Sequence, residues 1–300
     1  MSKPIALKPD AEVGTTRPLT QAQIAQYHED GFVIVRNFFD LEEVEPLRQA
    51  YLNDPSMGGS QTVVDYGDSL NFKLSVWTDL GDSLLGVIPR MARMIDATET
   101  LLGEECYHWH SKLVRKEPGE GFVIWHQGYG TWYEDGCLYP NLLSCGIAID
   151  TNDKANGCLQ VARKSHLMGR IENVPVGNSS GADPARMEVV RERLEIVDCE
   201  MEPGDALFFH ANTLHGSNQN NSDRARTMLY CTYNAVSNEP FITEGQEHHL
   251  YRPLKKLPDT TIKEGGYTSI FETHFHEPET EDNPKAGISV RFGRTVAQAG

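Results

Sequence analysis

Short apolar runs separated by turn signals follow one another from about residue 105, and this pattern constrains the fold more than any other feature. The runs read FVIWH, LLSCGIAID, CLQVARKSH, LEIVDCEM, ALFFH and TMLYCTYNA. Asn156-Gly157 suits a tight hairpin, and Pro203-Gly204 suits a type II turn in which glycine adopts a positive φ. A succession of short strands of this kind predicts a β-sandwich or barrel.

The N-terminal part of the chain predicts helices that flank this β region. Thr20 and Gln23 form a capping box that opens a first helix, which Gly31 ends. Asp40 and Glu43 form a second capping box that opens the helix LEEVEPLRQAYLND. The apolar run FVIVRNFF lies between the two and predicts a strand, and GVIPRMARMIDATETLLG predicts a third helix.

The sequence predicts one domain over residues 19–300, preceded by a flexible arm at residues 1–18 and interrupted by a polar insertion near residues 172–193. A chain of 300 residues can bury a large core without disulfides. Its net charge of −16 opposes binding to nucleic acid and to anionic membranes. No run approaches the roughly 18 apolar residues of a membrane span, and the N-terminus lacks an apolar signal core, so we expect a soluble, cytoplasmic protein.

Two of the eleven histidines differ from the others in their surroundings. His126 ends an apolar run and precedes a loop rich in glycine and aromatic residues. His215 begins a His-Gly-Ser sequence, and Arg226 follows eleven residues later at the start of another predicted strand. A guanidinium in that position can bind a carboxylate through two parallel hydrogen bonds.

Two His-x-His pairs are weaker candidates for a metal site. His108 and His110 lie on a predicted strand, where residues two apart share one face. His274 and His276 lie near the C-terminus, outside the strand-rich region. Because a lone His-x-His is weak support for a metal site, we expect structural roles for both pairs.

Four segments carry a combined signature. They are YHEDGFVIVRNFFDLEEV, WHQGYGTWYEDG, NGCLQVARKSH and GDALFFHANTLHGSNQNNSDRARTMLYCTY. Together they resemble the phytanoyl-CoA dioxygenase family of iron(II)- and 2-oxoglutarate-dependent oxygenases, over roughly residues 20–240. The resemblance implies a mainly β fold with flanking helices, namely the double-stranded β-helix, or cupin-like jelly roll.

The resemblance also implies a set of site residues. His126 and His215 would bind iron(II), and Arg226 with help from Ser217 would bind the far carboxylate of 2-oxoglutarate. Dioxygen would be the second co-substrate. A basic residue of the segment SKLVRKEPG is expected to reach 2-oxoglutarate as well, and the candidates are Lys112 and Arg115.

The substrate is expected to be a small, partly polar molecule, either free or tethered to a carrier protein. The resemblance places Trp132 near the iron as a wall of the pocket. Tyr129, Tyr133 and the insertion near residues 172–193 would complete that pocket with a mixture of aromatic and polar groups.

Gly128 departs from the family pattern. The usual first motif is His-x-Asp, in which two histidines and one carboxylate hold one face of iron(II) and leave three positions for 2-oxoglutarate and dioxygen. In this chain Gly128 stands where that aspartate is expected, two residues after His126. Glycine has no side chain to offer a metal.

Four explanations for Gly128 are open. The metal site is lost and the fold is a catalytically silent binder; Glu134 or Asp135 supplies the carboxylate; the glycine is an engineered change in a hydroxylase; or chloride occupies the vertex. Because the other site residues are all present, a decayed site is disfavoured. Chloride would restore the missing negative charge, and a substrate radical could combine with it rather than with hydroxide. The sequence therefore predicts a radical halogenase, with a hydroxylase or a silent binder as alternatives.

Overall fold

The structure is a computed structural model that describes residues 13–53, 62–65, 71–176 and 179–268. Its helices are α1 (Gln21–Asp30), α2 (Leu41–Asn53), α3 (Leu84–Val87), α4 (Ala92–Leu102), α5 (Gly128–Trp132) and α6 (Pro184–Arg193). The first seven strands are β1 (Phe32–Val35), β2 (Thr62–Asp65), β3 (Asn71–Trp77), β4 (Cys106–Lys116), β5 (Val123–His126), β6 (Leu142–Ala148) and β7 (Leu159–Ala162). The remaining strands are β8 (Asn173–Val176), β9 (Ser179–Ala182), β10 (Ile196–Asp198), β11 (Ala206–His210), β12 (His215–Ser217) and β13 (Arg226–Ala235). Within the described part of the chain, no helix is both long and apolar enough to span a bilayer.

The strands form two antiparallel sheets that enclose the interior of a jelly roll. Among the described residues, the larger sheet has the order β1-β11-β6-β13-β4-β3-β2, and the smaller sheet has the order β10-β7-β12-β5. Apolar side chains from both sheets, such as Phe209, Met228 and Val161, meet in one buried cluster. This architecture confirms the predicted mainly β double-stranded β-helix with flanking helices.

Strand β13 shows why the larger sheet is covered on both faces. All ten of its residues are buried, and successive side chains of a strand point to opposite faces. Leu229 and Cys231 pack with the N-terminal helices, whereas Met228 and Tyr230 face the smaller sheet. The unbroken apolar run is therefore explained by helices on one face and the jelly-roll interior on the other.

The first predicted capping box is confirmed. The Thr20 hydroxyl accepts a hydrogen bond from the Gln23 amide, the Gln23 side chain accepts one from the Thr20 amide, and Gly31 ends α1 with a φ of 84°. An N-cap side chain that satisfies a helix amide contributes about 1 kcal/mol to the free energy of unfolding.

We therefore expect Thr20→Ala to lower the free energy of unfolding by about 1 kcal/mol, as measured by urea denaturation. Gln21→Ala is the matched control, because Gln21 is the exposed first residue of the same helix and caps nothing. Equal stabilities for the two variants would contradict a stabilising role for the cap.

The second predicted capping box is only half formed. The Glu43 carboxylate accepts a hydrogen bond from the Asp40 amide at 2.8 Å, as the prediction requires. The Asp40 carboxylate, however, pairs with Arg17 and Lys263 and not with an amide of α2. The Arg17 hydrogen bond, followed by that of Lys263, lowers the pKa of Asp40 to about 2. Ion pairing with distant segments has replaced the local cap, which the sequence pattern could not reveal.

The polar insertion near residues 172–193 has structure of its own. It forms the β8-β9 hairpin and then α6, whose Asp183 side chain caps the Arg186 amide. Met187 and Val190 of α6 are buried against Trp125, the residue that precedes His126. The insertion thus supports the strand that carries His126.

The division into an arm at residues 1–18 and one domain at residues 19–300 stays a prediction. Residues 1–12 and 269–300, and with them the predicted pair His274/His276, lie outside the described residues. The part of the arm that is described contacts the body of the protein, because the Thr15 amide donates to Asp96 at 2.8 Å and its hydroxyl donates to Asp259 at 2.9 Å.

Candidate active site

His126 and His215 lie side by side at the ends of neighbouring strands. They are direct partners in the antiparallel pairing of β5 with β12, and their ring centroids are 4.2 Å apart at an interplanar angle of 52°. Two imidazoles at this separation can bind one ion together.

The hydrogen bonds of both rings leave the same nitrogen available. Nδ1 of His126 lies 2.8 Å from the Ile124 carbonyl oxygen, and Nδ1 of His215 lies 2.9 Å from that of Thr213. A carbonyl can only accept, so each Nδ1 donates and each Nε2 keeps a lone pair for a metal. Burial lowers the pKa of His126 to about 4, and burial followed by the charge of His126 lowers that of His215. Both rings are therefore neutral, which is the metal-binding form.

A third protein ligand is missing from the described residues. These contain no cluster of three histidine, cysteine or acidic side chains that could hold a metal. Glu134 is exposed, and the Asp135 carboxylate accepts a hydrogen bond from Gln246 at 3.3 Å. The hypothesis that Glu134 or Asp135 replaces the family aspartate therefore has no geometric support.

The indole of Trp132 occupies the space into which a side chain at position 128 would project. Both residues belong to α5 and are four apart, so they lie on one face of the helix. A Cβ atom built on Gly128 would lie 2.6 Å from Cη2 of Trp132 and 2.9 Å from its Cζ2 and Cζ3. Protein atoms do not pack that closely. The packing of Trp132 is thus a reason for glycine at position 128 that is independent of any halide.

Gln127 fixes the loop that joins His126 to Gly128. It is 1% exposed, its Oε1 accepts from the Ile171 amide at 2.7 Å, and its Nε2 donates to the Asn212 carbonyl at 2.9 Å. The sequence does not mark this residue as functional, because a lone glutamine between His126 and Gly128 carries no distinctive signal.

Arg226 is buried at the start of β13 and is only partly satisfied. Its Nε donates to Oδ1 of Asn152 at 2.5 Å, while its Nη2 is buried and has no hydrogen-bond partner among the described residues. Ser217 lies two residues after His215 on β12, and so on the same face of that strand. A buried guanidinium with an unused N–H fits a carboxylate ligand.

The strand faces of β4 separate the two basic candidates for contact with 2-oxoglutarate. Arg115 lies on the outer face, where it pairs with Glu117 at 2.7 Å and donates to Thr227 Oγ1 at 3.1 Å. Lys112 lies on the inner face, with its ammonium 5.7 Å from the centroid of the Tyr230 ring. Burial lowers the pKa of Lys112 to about 8. The inner position favours Lys112 and argues against Arg115.

The expectation that His108 and His110 share one face is wrong, because a β-bulge separates them. His110 pairs with Thr232 and His108 with Tyr233, so the residue between the two histidines has no partner. The His108 ring contacts Tyr233 on the helix-covered side, whereas the His110 ring lies 5.9 Å from that of Trp132. His110 is therefore a neighbour of Trp132, a contact that the His-x-His spacing does not predict.

Comparisons with known proteins relate this chain to a dioxygenase and a hydroxylase. It is 27% identical over 236 residues to an ectoine dioxygenase of Bordetella parapertussis, covering 73% of this chain and 77% of that protein. It is 26% identical over 245 residues to an L-proline trans-4-hydroxylase of Streptomyces griseoviridis, covering 76% of this chain and 91% of the hydroxylase. The crystal structure of EctD from S. alaskensis with 2-oxoglutarate and 5-hydroxyectoine superposes with a TM-score of 0.66 at 26% identity, covering 86% of this chain and 94% of that one. None of these three is named as a halogenase.

A family model matches the same region directly. The model of phytanoyl-CoA dioxygenase (PhyH) matches residues 27–228, more than half of the chain and a range that runs from α1 to the first residues of β13. The match includes the paired histidines and Arg226, although Gly128 still departs from the expected motif. The chain therefore belongs to the phytanoyl-CoA dioxygenase (PhyH) family of iron(II)- and 2-oxoglutarate-dependent oxygenases.

Proposed function

We propose that this protein binds iron(II) and 2-oxoglutarate and uses dioxygen to oxidise a C–H bond of a small molecule. The observation that carries the proposal is the pair His126 and His215, whose Nδ1 atoms are bound to carbonyls so that both Nε2 atoms are available to one ion. The same strand face continues to Ser217, whose hydroxyl oxygen lies 2.6 Å from the ammonium of the buried Lys116. A metal site beside a carboxylate site is the arrangement that a 2-oxo acid chelating iron requires.

Each residue has a separate task in this proposal. His126 and His215 hold the metal, Arg226 and Ser217 bind the far carboxylate of 2-oxoglutarate, and Lys112 adds a positive charge on the same inner face. Bound iron(II) would supply the activation of dioxygen. The buried strand faces exclude water from the reacting groups, which strengthens every electrostatic contact among them.

The proposed substrate is a small polar molecule. Ectoine and L-proline, from which two relatives take their names, are compounds of this class. Trp132 and His110 lie together at the pocket, and they offer an aromatic face beside a polar ring that can form hydrogen bonds. A carrier-tethered substrate is the alternative, and a mass-spectrometric screen of free and carrier-bound candidates would separate the two.

Hydroxylation is the proposed outcome of the reaction, because one relative is named as an L-proline trans-4-hydroxylase and the similar EctD structure holds 5-hydroxyectoine. Halogenation is the second candidate, and one observation favours it: two histidines and Gly128 leave the iron without a carboxylate from the described residues. Chloride at that vertex would supply the missing charge. The indole of Trp132 beside Gly128 supports the first candidate, since it gives the glycine a packing role.

Anaerobic addition of iron(II) and 2-oxoglutarate is expected to give a weak visible charge-transfer band, because a 2-oxo acid that chelates iron absorbs in this way. His215→Ala should remove the band and the bound iron, since it deletes one of two imidazole ligands. His28→Ala is the matched control, because His28 is exposed on α1 and should leave the band unchanged. A parent protein that retains no iron and shows no band would support a silent small-molecule binder instead.

A further inference from the structure

Lys116 is a fully buried lysine and the last residue of β4. It is 0% exposed, and its ammonium donates to Ser217 Oγ at 2.6 Å, to the Asn218 carbonyl at 2.7 Å and to the Gly157 carbonyl at 3.0 Å. A lysine ammonium has three hydrogens, so these three bonds use all of them. All three acceptors are neutral.

No carboxylate neutralises Lys116 within the described part of the chain. Its direct partner in the pairing of β4 with β13 is Arg226, a second buried cation that forms no ion pair there. Two adjacent buried positive charges without a counter-ion are costly unless an anion completes the site. Burial, and then the charge of Arg226, lowers the pKa of Lys116, and an anion bound beside the pair would oppose this shift by stabilising the ammonium.

The bond from Lys116 also sets the direction of the Ser217 hydroxyl. Because Ser217 Oγ accepts from the ammonium, its own hydrogen must point to another acceptor. No described residue accepts that hydrogen. Ser217 is thereby presented as a donor, on the strand face that it shares with His215.

We propose that Lys116 is a positioning residue for the far carboxylate of 2-oxoglutarate, orienting Ser217 as a donor and adding a second buried positive charge beside Arg226. This inference rests on the proposed function, because it deepens the co-substrate site assigned there. Lys112 and Lys116 lie on one face of β4, so both side chains are on the inner side of the strand, where Lys116 acts through Ser217.

A purely structural role is the competing explanation. Lys116 joins β4 to the turns at Gly157 and Asn218, and Gly121 packs against its side-chain stem. A clamp of this kind would affect the melting temperature equally with and without 2-oxoglutarate. It would leave the affinity for 2-oxoglutarate unchanged.

The test measures the dissociation constant of 2-oxoglutarate by anaerobic calorimetry, with and without iron(II). Lys116→Met and Ser217→Ala should each weaken binding, by roughly tenfold to a hundredfold for the lysine, because that variant loses both the bond that orients Ser217 and the buried positive charge beside the carboxylate. In the double variant the loss should be clearly smaller than the product of the single losses, because Lys116 acts through Ser217. Arg115→Met, on the outer face of the same strand, should bind like the parent.

The outcomes separate this inference from the proposed function. Two results would overturn the role of Lys116 and leave the proposed function standing. One is a charge-transfer band in the parent together with unchanged affinity in Lys116→Met. The other is a fully multiplicative loss in the double variant. Binding to the parent without a band would overturn the iron chemistry and keep the anion site. A parent that binds no 2-oxoglutarate would overturn both. Lys116→Gln, which keeps a donor but loses the charge, carries the same expectation if the methionine variant does not fold.

Discussion

Replacing Arg226 with alanine is expected to remove most of the affinity for 2-oxoglutarate while leaving the fold intact. The side chain is 1% exposed and has a buried Nη2 without a partner among the described residues. Truncating one partner of a buried charge pair costs about 2–5 kcal/mol, largely because the other charge is stranded. The dissociation constant should therefore rise roughly 30-fold to several thousand-fold.

The fold should tolerate this change because Arg226 contributes little net stability. It forms no ion pair with any described residue, and a buried cation without a counter-ion does not stabilise a protein. We expect the melting temperature of metal-free Arg226→Ala to stay within a few degrees of the parent. Loss of secondary structure in the variant would contradict this expectation.

Two variants make the measurement specific to the guanidinium. Arg226→Lys keeps the charge but loses the two-pronged geometry, so its affinity should fall between those of the parent and the alanine variant. Arg224→Ala removes an arginine two residues away that is exposed and paired with Asp153, and it should bind 2-oxoglutarate like the parent. Parent-like affinity in Arg226→Ala would show that the far carboxylate is bound elsewhere.

The sequence predicts best those parts of the fold and site that local spacing determines. His126 ends an apolar strand, and His215 begins the short sequence His-Gly-Ser. Strand ends in a jelly roll lie at a common edge, so a correct strand pattern with a family resemblance is enough to bring such residues together. The helix α1 was predictable for the same reason, since the contacts of its capping box are all within three residues.

The parts that the sequence did not predict depend on contacts between distant segments. The bulge that turns His108 away from His110 arises from the register of β4 against β13. Lys116 differs from Arg115 only in strand face, and a one-residue shift in register would exchange their environments. The carboxylate of Asp40 is bound by Arg17 and by Lys263, the second more than two hundred residues away, instead of capping its own helix.

Gly128 belongs to both groups. The absence of the family aspartate is visible in the sequence, but the packing around the glycine is not. The missing carboxylate could be read from the motif, and it led to the prediction of chloride. The contact of Trp132 with the space beside Gly128 is visible only in three dimensions. An aspartate introduced at position 128 without any other change is therefore expected not to become a metal ligand, for a steric reason.

Gly128→Asp is expected to lower the free energy of unfolding by about 1–3 kcal/mol, the usual cost of overpacking a well-packed site. Its Cβ would lie 2.6 Å from Cη2 of Trp132, so the indole or the helix α5 must move. The displaced ring should also prevent the new carboxylate from reaching a metal held by His126 and His215. Urea denaturation and iron(II) titration measure the two effects, and a variant as stable as the parent with tighter iron binding would contradict the steric argument.

Adding Trp132→Phe to Gly128→Asp should relieve the clash, because phenylalanine lacks the far ring atoms that approach position 128. The double variant should regain stability and bind iron(II) more tightly than the parent, since a third ligand with negative charge completes the metal site. Trp132→Phe alone is the matched control and should not tighten iron binding.

Chloride then separates the two proposed reactions. If chloride completes the coordination of the parent, added chloride shifts the charge-transfer band of the parent and not that of the double variant, whose carboxylate holds the vertex. A parent band that ignores chloride would eliminate halogenation and leave hydroxylation as the reaction of this site.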